Sequence, residues 1–216
     1  MTTTTHHRCL SGIEIREAPK GSGSIGVLVG HAAVFNSPSL PFDGAGKPWV
    51  EKIAPGAFAR SLRENPDVLA LWSHDMSVPI ARTPNTLKLR EDDRGLHAEV
   101  QLIDTTACRD ALASVRAGIV RAWSFGFAAK KARWIKGEAQ DVRVLEDVDL
   151  FEVSPVASPA YPGTDLSARG ASLYVRNGGN AADEIRALSM ERDEFFRSEE
   201  AGIIARDLLA MRIRLL

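Results

Sequence analysis

Three residues suited to acyl transfer lie in apolar, strand-like parts of the chain. Residues 71–75 (Leu-Trp-Ser-His-Asp) contain His74, and residues 123–127 (Trp-Ser-Phe-Gly-Phe) contain Ser124. A serine hydroxyl is a poor nucleophile near neutral pH, so it needs an imidazole to take its proton and a third group to orient that imidazole. Glu152 carries a carboxylate that suits the third role. The set predicts nucleophilic catalysis by Ser124 with His74 as the general base.

The order and context of these residues exclude the commonest serine hydrolases. The order histidine, serine, acid differs from that of the chymotrypsin, subtilisin and α/β-hydrolase classes, and Ser124 stands in no G-x-S-x-G motif. The sequence also has no C-x-x-C, no H-E-x-x-H and no glycine-rich phosphate loop, so we expect neither a metal nor a cofactor. Lys130 and Lys131 raise the alternative of a Ser–Lys dyad, but lysines in a Lys-Lys-Ala-Arg run are usually solvated.

The surroundings of the serine follow from strand alternation. Trp123 and Phe125 flank Ser124, so the hydroxyl should lie on the face opposite the two aromatic rings. Gly126 shares the face of Ser124, and we expect its missing side chain to leave room for substrate. Two further histidines lie in strand-like sequence: His31 is expected to pack or hydrogen bond within a sheet, and His97 is expected to face solvent.

The third catalytic position has several candidates. Glu152 is the preferred acid. Asp147 and Asp149, which lie near Glu152 in sequence, and Asp75, which follows His74, compete for the role. The expected role of the acid is to fix the tautomer of His74 and to stabilise the imidazolium. The residues alone leave the choice among these four carboxylates open.

Further short segments surround these residues in a fixed order. They are Gly-His-Ala-Ala-Val-Phe-Asn at 30–36, Glu-Lys-Ile-Ala-Pro-Gly-Ala-Phe at 51–58, Ser-Phe-Gly-Phe at 124–127, Glu-Val-Ser-Pro-Val at 152–156 and Pro-Ala-Tyr-Pro-Gly-Thr at 159–164. In their order and spacing, residues 26–165 resemble the prohead maturation proteases of tailed bacteriophages, the class often called HK97-type. That class is related in fold to the herpesvirus assembly proteases.

The resemblance implies a fold, a reaction and a set of partners. It implies a mainly β, barrel-like fold with flanking helices, and Ser124, His74 and Glu152 as nucleophile, base and acid. The herpesvirus enzymes use a second histidine as the third member, but no histidine follows His97 here, so an acid must replace it. Backbone amides in residues 155–164 are the implied oxyanion donors.

The resemblance also implies where the protein acts and on what. The expected reaction is endopeptidase cleavage of the scaffold, or of the scaffolding segment of the major capsid protein, together with self-cleavage. It would occur inside the assembling prohead in the cytoplasm of the bacterial host. The alternative hypothesis is a non-enzymatic assembly or scaffold factor that keeps the fold and binds capsid protein through a C-terminal helix.

The composition is that of an ordinary globular protein. The chain has 216 residues, of which 44% are hydrophobic, enough for a substantial core. Its formal net charge is −1, from 27 basic and 28 acidic residues, which gives no reason to expect nucleic-acid binding. Two cysteines form no disulfide framework and fit a reducing compartment. Neither a membrane-spanning segment nor an export signal is expected.

The chain divides into four predicted segments: a loose N-terminus at 1–24, a protease domain at 25–165, a linker at 166–181 and a C-terminal helix at 182–216. Within the domain, helices are predicted at 54–65 and at 104–117, the second with Asp104 as N-cap. The C-terminal helix has apolar residues at helical spacing, namely Ile204, Leu208, Met211 and Leu215. That stripe fits either packing on the domain or contact with another chain, as a homo-oligomer or with the capsid.

Overall fold

The computed structural model of the protein describes residues 12–19, 21–39, 41–42, 46–157 and 181–214. Its strands are β1 (Glu14–Arg16), β2 (Ser24–Val34), β3 (Trp49–Ile53), β4 (Leu69–Trp72), β5 (Asp75–Arg82), β6 (Leu87–Glu91), β7 (Gly95–Ile103), β8 (Ala122–Ile135) and β9 (Asp141–Val156). Its helices are α1 (Ala59–Glu64), α2 (Thr106–Arg116) and α3 (Ala181–Arg214). The fold is mainly β with a few helices, as predicted.

The strands form two open sheets. One sheet has the antiparallel order β1-β2-β7-β6. In the other, β9 pairs with β8 along one edge and, along its other edge, with β3 and β4 at different points, while β5 pairs with β4. The predicted barrel is therefore wrong within the described residues. Apolar side chains of both sheets join one core, which includes Leu28, Val100, Phe125 and Val153, so packing of sheet on sheet buries them without closure.

Both predicted helices of the domain exist with changed N-termini. Helix α1 begins at Ala59, five residues after the predicted start, because Gly56 has φ 86° and lies outside the helical region. The N-cap of α2 is Thr105 and not Asp104: its side-chain oxygen accepts a hydrogen bond from the backbone N–H of Cys108 at 3.2 Å. Gly118, with φ 69°, follows the end of α2 in the left-handed conformation typical of a residue that ends a helix.

Helix α3 packs on the second sheet through its first half. Ile185, Ser189 and Arg192 are buried on one stripe of the helix. The Arg192 guanidinium donates to the backbone oxygen of Lys47 at 2.6 Å. The stripe predicted from residue 204 onward lies beyond the described side chains, and residues 166–180 of the predicted linker lie outside the described part of the chain. Among the helices described, none is long and apolar enough to cross a membrane.

A buried ion pair reinforces this contact. The Arg143 guanidinium on β9 donates to Glu51 of β3 at 2.8 Å and to Glu191 of α3 at 3.4 Å. The Trp134 indole N–H on β8 donates to the same Glu191 at 3.3 Å. The Arg143 and Glu51 side chains are 8% and 5% exposed, so each charge depends on the other for compensation. Helix α3 thus contacts side chains of β8 and β9, and β8 is the strand that holds Ser124.

Candidate active site

Strand β9 brings the predicted site residues together. In the antiparallel pair β8–β9, Ser124 lies opposite Ser154 and Gly126 lies opposite Glu152. Residues directly opposite each other in such a pair share a face of the sheet, as do residues two apart on one strand. Ser124, Gly126, Glu152 and Ser154 therefore lie on one face. On the other side of β9, the parallel strand β4 leads towards His74.

A tight turn aims His74 at this face. Trp72 and Asp75 are paired residues of β4 and β5, so Ser73 and His74 form a two-residue hairpin turn. Their φ values are 52° and 62°, the left-handed conformation that a type I′ turn requires at both positions. Asparagine and glycine adopt it readily, whereas other residues incur a cost of order 1–3 kcal/mol each. Two backbone N–H groups of the turn donate to β9: Ser73 N–H to Pro155 O at 3.3 Å and His74 N–H to Ser154 Oγ at 3.1 Å.

The imidazole of His74 contacts the carboxylate of Glu152. The His74 Nδ1 and Glu152 Oε1 atoms are 2.7 Å apart, and both side chains are largely buried, at 18% and 4% exposed. A Nδ1–H that donates to the carboxylate leaves Nε2 as the acceptor nitrogen. The Nε2 atom is buried and has no hydrogen-bond partner among the described residues. The ring thus presents an unused acceptor, which is what a general base requires.

Ser124 lies beside this pair without a hydrogen bond to it. It is buried, with 6% of its surface exposed, and its partner across the strands is Ser154, which contacts both Glu152 and His74. Opposite residues in an antiparallel pair have Cβ atoms about 4.5–5.5 Å apart. Because His74 Nε2 has no partner among the described residues, no bond joins it to Ser124 in this structure. Such bonds are often long in a free enzyme and shorten in its complex with substrate.

Gly126 makes room for the acid and not for substrate, contrary to the prediction. A Cβ added at Gly126 would overlap Oε1 of Glu152 and would lie 3.1 Å from its Cδ and Cγ. The Glu152 carboxylate therefore occupies the space that a side chain at 126 would take. A side chain at this position would have to displace the Glu152 carboxylate from where it contacts His74.

The competing carboxylates bind other groups. Asp147 and Asp149 accept hydrogen bonds from the Arg60 guanidinium of α1 at 2.7 and 2.6 Å. The Arg60 hydrogen bond lowers the pKa of Asp149, with a smaller contribution from Lys130. Asp75 is exposed and accepts hydrogen bonds from the side chain and backbone N–H of Ser77, which lower its pKa. Of the four candidate acids, Glu152 is the one that contacts His74.

The lysines that follow Ser124 in sequence bind acidic side chains other than Glu152. Lys130 and Lys131 are exposed and form ion pairs with Asp149 and Glu146 at 3.0 and 2.9 Å, as expected for solvated lysines. Of the predicted oxyanion segment, residues 158–164 lie outside the described residues. In the described part of the chain, no group of three or more histidine, cysteine or acidic side chains is placed to hold a metal.

The remaining strand histidines form a separate pair in the first sheet. His31 Nε2 lies 3.0 Å from a carboxylate oxygen of Asp92, so His31 contacts the connection between β6 and β7 rather than a partner within the sheet. His97 is 7% exposed, so the prediction that it faces solvent is wrong. Its strand β7 lies between β2 and β6, and its ring packs edge-on against His31 with centroids 5.3 Å apart. Burial lowers the pKa of His97, and the positive charge of Arg90 adds to the effect.

Comparison with known proteins gives a family for most of the chain. Residues 11–175 match the family described as caudovirus prohead serine protease. The prohead protease of Escherichia phage T5 is 29% identical over 91 residues, which cover 42% of this chain and 40% of that protein. The match therefore spans less than half the length of this relative. No solved structure matches the chain significantly.

Proposed function

Because the chain belongs to the caudovirus prohead serine protease family, we propose that it is a serine endopeptidase with Ser124, His74 and Glu152 as nucleophile, base and acid. The observation that carries the proposal is the 2.7 Å contact between His74 Nδ1 and Glu152 Oε1, with Ser124 on the same sheet face. A structural histidine would not need a buried carboxylate at one ring nitrogen and, at the other, no hydrogen-bond partner among the described residues.

The proposed reaction is acyl transfer through the serine. His74 Nε2 takes the Ser124 hydroxyl proton as Oγ attacks the peptide carbonyl carbon, and Glu152 stabilises the resulting imidazolium. The tetrahedral intermediate collapses as the carbon–nitrogen bond breaks, and His74 returns the proton to the leaving amine. Water then attacks the acyl-enzyme with His74 again as base, and release of the acid product restores Ser124.

The environment of Glu152 suits a charged partner for the imidazolium. The residue is 3% exposed, and a buried carboxylate is costly unless its oxygens are bonded. Here Oε1 contacts His74 Nδ1 and Oε2 accepts the hydroxyl of Ser154 at 2.6 Å. Because both side chains are largely buried, water screens the carboxylate from the ring less than it would at the protein surface.

The proposed substrates are the scaffold or the scaffolding segment of the major capsid protein, and the protease itself. The proposed location of the reaction is the inside of the assembling prohead, in the cytoplasm of the bacterial host. We also propose that the fold is related to that of the herpesvirus assembly proteases. The phage T5 relative is a prohead protease, and that name supports this setting. In such a compartment, the high local concentration of substrate replaces intrinsic affinity.

A non-enzymatic assembly factor is the second hypothesis. It would bind capsid protein or a second copy of the chain through helix α3, whose residues Met190 and Ile203 are exposed at 66% and 53%. An assembly factor has no need for a histidine held in a left-handed turn against a buried carboxylate. The His74–Glu152 contact therefore favours the protease.

The test is co-expression of the chain with the phage capsid genes, followed by mass spectrometry of the products. Ser124→Ala should abolish cleavage, because it removes the nucleophile and leaves no sizeable cavity. Ser22→Ala, in an exposed loop, is the matched control and should cleave normally. Cleavage at the normal rate by purified Ser124→Ala protein would refute the serine mechanism.

A further inference from the structure

Ser154 is a buried serine with both of its hydrogen-bonding functions in use at the candidate site. It is 0% exposed. Its hydroxyl donates to Glu152 Oε2 at 2.6 Å, and the same oxygen accepts from the backbone N–H of His74 at 3.1 Å. One hydroxyl thus connects the carboxylate of the candidate acid with the main chain of the candidate base.

These two bonds act on two separate parts of the site, the Glu152 carboxylate and the His74 backbone. A Glu152 side chain bonded only through Oε1 could rotate its carboxylate, and the second bond at Oε2 prevents this. The His74 backbone is in the left-handed region, with φ 62°, and such a conformation persists where surrounding contacts hold it. The Ser154 hydroxyl accepts one of the two hydrogen bonds that the backbone of this turn donates to β9.

The same bonds exclude Ser154 as a nucleophile. The Ser154 hydroxyl donates its proton to Glu152 in a hydrogen bond, whereas Ser124, its partner across the strands, has no hydrogen bond to His74. The two serines therefore have different environments although they face each other. Ser154 touches the acid and the base but has no surface from which to touch a substrate.

We propose that Ser154 is a positioning residue that holds the Glu152 carboxylate and the His74 turn in their reactive geometry. The proposal rests on the proposed serine-protease function and adds a fourth residue to it. Loss of the hydroxyl should displace the imidazole while leaving Ser124 itself unchanged. A displacement of about 1 Å at such a site lowers rates by about 100-fold.

The test compares Ser154→Ala with a matched control, Ser61→Ala. Ser61, in helix α1, is also 0% exposed, and its hydroxyl accepts a hydrogen bond from the backbone N–H of Leu150 at 2.9 Å. Leu150 lies on β9, as Ser154 does, and this bond involves none of the candidate site residues. Both changes remove a buried hydroxyl that accepts from the backbone, so both should lower stability. The rate of serine labelling by a fluorophosphonate, with mass spectrometry to locate the adduct on Ser124, measures the activation of the nucleophile.

We expect Ser154→Ala to slow labelling of Ser124 by about 10- to 100-fold. Ser61→Ala should stay within about twofold of the parent chain. Ser154→Thr keeps the hydroxyl and should recover at least part of the rate. In a Glu152→Gln background, Ser154→Ala should cause a much smaller further loss, because residues that act as one unit are not additive.

A second readout follows the geometry without any reaction. In protein labelled with ¹⁵N-histidine, the His74 Nδ1–H proton bonded to Glu152 should give a far-downfield signal, assigned by its loss in His74→Ala. Ser154→Ala should shift or broaden this signal, and Ser61→Ala should leave it unchanged. An unchanged signal with a normal labelling rate in Ser154→Ala, or equal losses in both serine variants, would overturn the proposal. If the parent chain is not labelled, the proposed function fails, and the proton signal alone decides the role of Ser154.

Discussion

Replacement of Gly126 by alanine tests whether the Glu152 carboxylate must stand where the structure has it. The added Cβ would overlap Glu152 Oε1, and ordinary contact distances begin at 3.4 Å, so the oxygen must retreat by about 1 Å. The contact between His74 Nδ1 and Glu152 Oε1 would lengthen from 2.7 Å by a similar amount and cease to be a hydrogen bond.

The expected magnitude follows from the bond that is lost. A hydrogen bond to a charged group contributes about 1.5–3 kcal/mol. If that energy is lost only in the transition state, kcat/KM falls by about 10- to 150-fold, at about 1.4 kcal/mol for each factor of ten. The fold should survive, because the displaced atoms are the end of one side chain and alanine restricts the unfolded chain more than glycine does.

The assay is the rate of fluorophosphonate labelling of Ser124, together with cleavage of the capsid substrate once its site is known. Gly12→Ala is the control, since a Cβ at this exposed glycine would meet no atom within 4 Å. Thermal unfolding of each variant shows whether it is folded. A folded Gly126→Ala protein whose rates stay within about twofold of the parent chain would refute the claim that Glu152 acts from this position.

Three further predictions concern stability. Arg143→Met should lower the free energy of unfolding in urea by about 3–5 kcal/mol because it leaves Glu51 buried and unpaired, whereas Arg133→Met, which breaks an exposed pair, should cost less than about 1 kcal/mol. A chain that ends at residue 180 should unfold at a lower urea concentration than the full chain, and an equal midpoint would mean that α3 adds no stability. Burial lowers the pKa of His97 below 6.5, so the unfolded state binds more protons and the free energy of unfolding should fall as the pH drops below 6.5. His97→Gln should make the free energy of unfolding depend less on pH between pH 7 and 5, and an unchanged pH dependence would contradict the reasoning.

The sequence predicts the secondary structure around the candidate residues better than the contacts among them. Strand alternation around Ser124 and the apolar run before His74 place Ser124 within a strand and His74 at the end of one, and the structure has them there. The contact between Glu152 and His74 depends on the parallel pairing of β4 with β9, which joins residues about 80 positions apart. Local sequence carries no signal for such a pairing, so it cannot decide among the four acids.

The sequence fails to predict some other features because their residues differ from those typical of such structures. The turn at Ser73 and His74 has no asparagine or glycine, and β5 contains Pro79, so the sequence predicts neither the hairpin nor β5. In α3 the buried stripe at Ile185, Ser189 and Arg192 is partly polar, so an apolar pattern could not reveal it. The role of Ser154 had one available signal, which is its spacing of two from Glu152 on one strand.

The arrangement explains why His74, the proposed base, lies in a strained turn. Glu152 and Ser154 lie on β9 and Ser124 on β8, so three of the four residues are fixed by continuous strand pairing. His74 follows the end of β4, and an extended chain would carry its ring away from β9. Two left-handed residues reverse the chain within the turn and return the ring to the Glu152 carboxylate. The strain at Ser73 and His74 is thus the conformational cost of reaching β9, and the bonds to Ser154 and Pro155 offset it.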